Sequence, residues 1–240
     1  MRKLIDGKLS AITAVLLTVL AVGITTVCFL PERTAIITGG KAIEPIYHGD
    51  KNGDAVCLMV NVYEGGDIVE EMLGVLDEYG AKATFFVGGC WADDNGEILI
   101  KILEKGHEIG NHGYFHKDHA KLGEKANREE IDANYALVKR LTGYEMKYFA
   151  PPSGSFSPTT LKVAEKLGYK TIMWTKDTID WRDSDLNKII SRATDNLSAG
   201  DLILMHPKKH TLAALPKILD FYANKGLRAV TLSECINGKS

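Results

Sequence analysis

Five residues in this 240-residue chain stand where metal or proton-transfer chemistry could be done. His112 and His116, in the stretch HEIGNHGYFH, lie four apart just after a short apolar run. A turn that folds back there would aim two imidazoles at one cation, although such a pair also reads as surface or capping histidines. His206 follows the apolar run LILM, and Asp177 and Asp180 lie in WTKDTIDW. Taken alone, His206 reads equally as a satisfied histidine at a strand end.

Positioning these residues falls to an alternating pattern. Short apolar, β-rich runs occur at 55–62, 83–87, 107–110, 146–150, 171–174, 202–205 and 227–230, with helical periodicity at 68–78, 97–104, 128–141, 159–166, 186–197 and 212–224. Gly80, Gly106, Gly143, Gly168 and Gly226 follow the helix ends, and Ser157-Pro158 supplies an N-cap with a first-turn proline. Strand–helix alternation predicts a parallel sheet, either open and doubly wound or closed into a barrel. In both cases functional groups gather at the C-terminal strand ends. Those ends carry Asn61, the His112 and His116 pair, the run Ala150-Pro151-Pro152-Ser153-Gly154, the run Asp177 to Trp181, and His206. No glycine-rich phosphate loop follows any strand, which removes the main reason to expect a nucleotide.

A formal net charge of -2 gives no global field that would favour nucleic acid as a partner. Ahead of the alternating region, Leu9 to Leu30 carries no charge over a length that suits a transmembrane helix. Arg2, Lys3 and Lys8 precede it, so the positive-inside rule leaves the N-terminus in the cytoplasm and everything after Glu32 outside. A cleaved signal peptide is the alternative, and either reading exports the rest. Thr34 to Asp54 has no sustained period and reads as a linker. Cys57, Cys90 and Cys235 are scattered, which indicates neither a zinc knuckle nor a disulfide framework.

The ordered stretches KATFFVGG, GHEIGNHGYFH, APPSG, WTKDTIDW and LILMHP resemble the successive motifs of the NodB-homology polysaccharide deacetylases, carbohydrate esterase family four. The resemblance runs from about Ala55 to Leu232 and is nearest to the membrane-anchored, sporulation-associated branch. It implies an irregular (β/α) barrel of about seven parallel strands, preceded by one transmembrane helix, and removal of N-acetyl groups from N-acetylglucosamine-type glycans in peptidoglycan or chitin. On this reading residues 1–8 are cytoplasmic, 9–30 a signal anchor in the cell membrane, 31–54 a linker and 55–236 an extracellular catalytic domain. The resemblance makes His112 and His116 ligands of a divalent metal, commonly zinc, and His206 the acid that protonates the leaving amine. It places an oxyanion donor at the Ser153 N–H, supporting carboxylates at Asp177 and Asp180, and a substrate pocket at Trp181, Leu204, Pro151 and Pro152. Amide hydrolysis needs such a set: an activated water, a stabilised oxyanion and an acid for the nitrogen.

Departures from the family pattern fall together. Where the family writes T-F-D-D-G, this chain has LMVNVYEGG, so Asn61 stands for the base carboxylate and Val62 for the metal-binding one. Ala150 stands for the arginine that contacts the base, Gly113 for a Ser or Thr, and Pro207 for an aspartate. Glu64 or Asp67 could substitute as ligand or base, His119 could supply a third nitrogen, or zinc could by itself lower the pKa of a bound water. Two functions follow: a metal-dependent deacetylase with a rearranged first motif, or a catalytically idle glycan-binding or structural module at the cell wall.

Overall fold

Every residue of Ala55–Val62 is buried, because this run has two apolar faces. Cys57 and Met59 pack with Phe86, Tyr148 and Ile172 inside the curve of the sheet. Their alternates Val56, Leu58, Val60 and Val62 join the larger core, which the helices cover with Val69, Met72 and Leu215. The computed structural model that shows this describes residues 36–38 and 41–238, all within the unit Ala35–Ser240. The segment 9–30 expected to cross a bilayer lies outside the described residues. Among those described, no helix is long and apolar enough to span a membrane.

A two-stranded antiparallel pair, β1 (Ile36–Thr38) and β2 (Lys41–Ile43), comes first. Then follow β3 (Ala55–Val62), α1 (Gly66–Glu78), β4 (Ala83–Val87), α2 (Gly89–Asp94), α3 (Gly96–Glu104) and β5 (Glu108–Asn111). The second half runs α4 (Glu124–Thr142), β6 (Tyr148–Phe149), α5 (Pro158–Lys166), β7 (Lys170–Thr171), β8 (Lys176–Asp177) and α6 (Leu186–Thr194). It finishes with β9 (Leu202–Met205), α7 (Lys209–Asn224), β10 (Arg228–Val230) and α8 (Leu232–Asn237).

The main sheet is parallel throughout, in the order β7-β6-β5-β4-β3-β9-β8, and β10 pairs with the first residues of β3. That seven-strand path is the expected barrel left open. Among the described residues β7 and β8 do not pair, and the edge at β7 is instead met by Ile46, bridged to Ile172. The Ile46 N–H donates to Thr171 O at 2.9 Å and the Met173 N–H to Ile46 O at 2.8 Å. Farther on, the Gly49 N–H donates to Gly200 O at 2.7 Å and the Asp50 N–H to Cys235 O at 2.8 Å. The later part of the stretch expected to be a linker is therefore fastened to the barrel. An unpaired strand edge recruits it, and its sequence lacks the alternation that would have shown this.

Helix ends follow the sequence signals. Ser157 Oγ accepts from the Thr160 N–H at 3.3 Å while Thr160 Oγ1 accepts from the Ser157 N–H at 3.1 Å, a reciprocal cap that starts α5 at Pro158. Gly143, with φ 72°, ends α4. At the N-terminal rim of the barrel, Glu108 accepts from the Thr84 hydroxyl at 2.9 Å and the Ser233 N–H at 3.0 Å, which seats α8 across the opening.

Candidate active site

At the opposite rim, strand ends surround a cavity of about 300 Å³. Asn61 is the last residue but one of β3, His112 follows β5, Ser153 and Gly154 follow β6, Asp177 ends β8, and Leu204 and His206 come from β9 and its exit. Eight of the residues singled out in the sequence line it: Asn61, His112, His116, Ser153, Asp177, Trp181, Leu204 and His206.

His112 is buried, and its Nδ1–H donates to Ala150 O at 2.7 Å, so its Nε2 is left for the cavity. Burial, followed by the neighbouring His116, pushes its pKa down to about 3, which keeps the ring neutral and able to ligate. Its ring centroid lies 5.1 Å from that of His116. His116 turns back through a left-handed backbone, φ 54°, and burial lowers its pKa as well. Glu130 holds this turn: its Oε2 accepts from the N–H groups of Tyr114 at 3.0 Å and Phe115 at 2.8 Å, and its Oε1 pairs with Lys117 at 2.8 Å. Asn111 Oδ1 accepts from the Gly113 N–H at 2.9 Å and from Asn134 Nδ2 at 3.0 Å, which fixes the start of the same turn.

Across the cavity, the His206 Nδ1–H donates to Asp180 Oδ1 at 2.7 Å, while the backbone N–H of His206 and the hydroxyl of Thr211 reach Asp180 Oδ2 at 2.7 and 2.6 Å. Burial by itself would raise the Asp180 pKa, but the hydrogen bonds from His206 and Thr211 outweigh it and hold the carboxyl below its ordinary value. His206 is thereby fixed in the tautomer that turns Nε2 to the cavity. Asp180 is fully enclosed and acts through His206, whereas Asp177 lines the cavity and uses Oδ1 to accept from the Ile179 N–H at 2.8 Å. Ser153, φ 55°, presents a backbone N–H that makes no hydrogen bond among the described residues.

Pro151 and Pro152 are placed apart from the other site residues. Both are buried behind the turn and do not line the cavity; they set the backbone that exposes Ser153. Two lining residues escaped the sequence reading. Trp174 leaves β7 and lies against Gly154, and Tyr63, just past β3, stacks on His116 with ring centroids 4.2 Å apart. Tyr63 had a signal, an aromatic immediately beyond a strand's C-terminal end, and Trp174 is the last residue of the expected strand 171–174. The residues considered as substitutes do not reach the cavity. Glu64 is paired with Lys208, Asp67 sits exposed in the first turn of α1, and His119 is buried with Nδ1 on Asn127 Oδ1 at 2.7 Å.

Two neutral imidazoles on one wall fit a divalent cation as two of its ligands. A third is missing: Val62 faces the helix-side core, and among the described residues no group of three or more His, Cys, Asp or Glu is disposed to hold a metal ion.

Residues 48–172 match the family model of polysaccharide deacetylases. The chain belongs to the polysaccharide deacetylase family. It is 36% identical to the Bacillus subtilis protein YlxY over 81% of this chain, and that alignment spans 61% of YlxY. A peptidoglycan-N-acetylglucosamine deacetylase of Bacillus cereus is 32% identical over 78% of this chain and 70% of its own length. Among solved structures, a CE4-family pseudoenzyme from Bacillus anthracis superposes with a TM-score of 0.78 at 32% identity, covering 80% of this chain and 69% of that one. Relatives of this deacetylase-family chain therefore include both a named hydrolase and a named pseudoenzyme.

Proposed function

We propose that the domain removes N-acetyl groups from an N-acetylglucosamine-type cell-wall glycan, working outside the membrane to which segment 9–30 attaches it. The observation that carries this reading is the Asp180-held His206, which opens on the same cavity as His112, His116 and the free Ser153 N–H. As the imidazolium, paired with the Asp180 carboxylate, His206 would give its Nε2 proton to the departing sugar nitrogen, and the Ser153 N–H would meet the charge that develops on the acetyl oxygen. Trp181 and Leu204 offer apolar surface to the acetyl methyl group. A zinc ion held by His112 and His116 would supply a water of lowered pKa when bound. The peptidoglycan deacetylases among the relatives support the substrate class.

A second reading, a glycan-binding protein without turnover, is favoured by one specific feature. The positions that the resemblance assigns to base, third ligand and base partner hold Asn61, Val62 and Ala150, none of which can accept a proton from water. The likeness to the Bacillus anthracis pseudoenzyme points the same way. Acetate release by the full chain from chitooligosaccharides and peptidoglycan fragments, with and without zinc, separates the two. Zinc-dependent release that His206→Ala lacks supports the hydrolase. Glycan binding with no release by either form supports the binding protein.

A further inference from the structure

Five buried side-chain polar atoms have no hydrogen-bond partner among the described residues: Asn61 Oδ1, Trp91 Nε1, His107 Nε2, His119 Nε2 and Asn134 Oδ1. Only Asn61 lines the cavity. The residue is 3% exposed and the oxygen is buried, so bulk water does not satisfy it. A buried amide oxygen left unpaired is destabilising, and one beside a cavity can be completed by what that cavity holds. Its surroundings describe that ligand. The cavity offers a free backbone donor at Ser153, apolar surface at Leu204 and Trp181, and an unpaired acceptor at Asn61. An acetamido group carries the complementary set: a carbonyl acceptor, a methyl group and one N–H donor.

We infer that Asn61 is a specificity-determining residue that accepts a hydrogen bond from the N–H of an intact N-acetyl group. This rests on the glycan reading above and deepens it, because it gives the neutral amide at position 61 a task that a carboxylate would perform differently. A carboxylate at 61 would attract the cationic amine left by deacetylation, whereas the Asn61 amide carries no charge and draws no cation into the cavity. Position 61 therefore contributes a preference for the acetylated glycan over its deacetylated product, against the pull that the Asp177 carboxylate on the same cavity wall exerts on an amine, whether or not the site turns the glycan over.

The test compares the full chain with Asn61→Leu, which keeps the side chain's shape and removes both polar atoms. Calorimetry against chitotetraose and against its fully deacetylated tetramer measures both affinities, with acetate quantified in the same samples so that turnover is not read as weak binding. Loss of one buried hydrogen bond predicts about tenfold weaker binding of chitotetraose by Asn61→Leu. Binding of the deacetylated tetramer should be unchanged, and the midpoint of thermal unfolding should rise because an unpaired polar group has left the interior. If the parent chain binds chitotetraose and Asn61→Leu binds it equally well, Asn61 does not read the N-acetyl group and the inference falls while the glycan reading stands. If the parent chain binds neither tetramer, the glycan reading falls and this inference with it. A drop in thermal stability of Asn61→Leu would also overturn it, by showing that the amide serves the fold.

Discussion

Asp180 holds His206 at two points, with one carboxylate oxygen 2.7 Å from the ring nitrogen Nδ1 and the other 2.7 Å from the backbone N–H. Ring orientation, tautomer and loop position are thus set by a single buried side chain.

Asp180→Asn keeps the size of the side chain but exchanges an acceptor for a donor opposite His206 Nδ1. It should lower the rate of acetate release about 10²-fold or more with little change in KM, because the proton donor is mis-set while the glycan contacts stay. Initial-rate kinetics decide the matter, and a loss of less than threefold would remove Asp180 from the proton-transfer unit.

The acid sensitivity of the fold has an identifiable source away from the cavity. His107 is 5% exposed, accepts from the Ala83 N–H at 3.1 Å, and is depressed from its ordinary 6.5 to about 4, chiefly by burial. Lys82 and Lys105 lower it further and Asp77 opposes them. Above pH 6.5 neither the folded nor the unfolded state protonates it, so it costs nothing. As pH falls from 6.5 toward 4 the unfolded chain takes up a proton that the native state refuses, and stability declines by about 3 kcal/mol. His107→Asn retains an acceptor for the Ala83 N–H and should flatten that decline. Urea unfolding at pH 7 and pH 4.5 should therefore show a smaller difference for His107→Asn than for the parent chain, and equal differences would refute the assignment.

Rebuilding the first motif should reveal its structural cost. In Asn61→Asp with Val62→Asp and Ala150→Arg, two of the three changed positions are wholly inaccessible, and Val62 lies in the helix-side core. Without metal the triple variant should lose several kcal/mol through buried charge. Zinc at a hundredfold excess over its Kd should return about 2.7 kcal/mol. Melting curves with zinc and with chelator test this, and a zinc response no larger than that of the parent chain would show that position 62 does not reach the cation.

Gly154 has φ 65°, and an added Cβ would come within 2.6 Å of the Trp174 ring. Gly154→Ala should cost about 1–3 kcal/mol and push Trp174 from the cavity wall. Glycan binding should weaken along with a shift in tryptophan emission, whereas normal binding would separate Trp174 from recognition.

Much of the fold was legible because β3, β4 and β9 are largely apolar runs, each preceded by a charged residue, and all three match their predicted ends. The remainder depended on partners that sequence does not name. β8 is two residues long, Lys176-Asp177, and extended only because β9 lies beside it. The expected strand 171–174 contracts to Lys170–Thr171 because Met173 bonds to Ile46 from a distant stretch. Helices α2 and α8 are each six residues, too short to show a period. The helix expected over 186–197 stops at Thr194, where Asp195 turns to extended backbone. Among the site residues, histidines and aspartates announced themselves by type. Tyr63 and Trp174 did not, because an aromatic beyond a strand is as often packing as recognition.

The hydrogen bond from the Asp50 N–H to Cys235 O lies on the rim opposite the cavity, just before β3 begins and after β10 ends. Entry and exit of the barrel's chain thus meet there, so its path is almost a ring. A peptide joining residue 238 to residue 45, which keeps Ile46 on the edge of β7, with new ends opened in an exposed connection, would give a circularly permuted domain in which the strands follow one another in a different order along the chain. The cavity would be untouched, because no residue that lines it belongs to the seam.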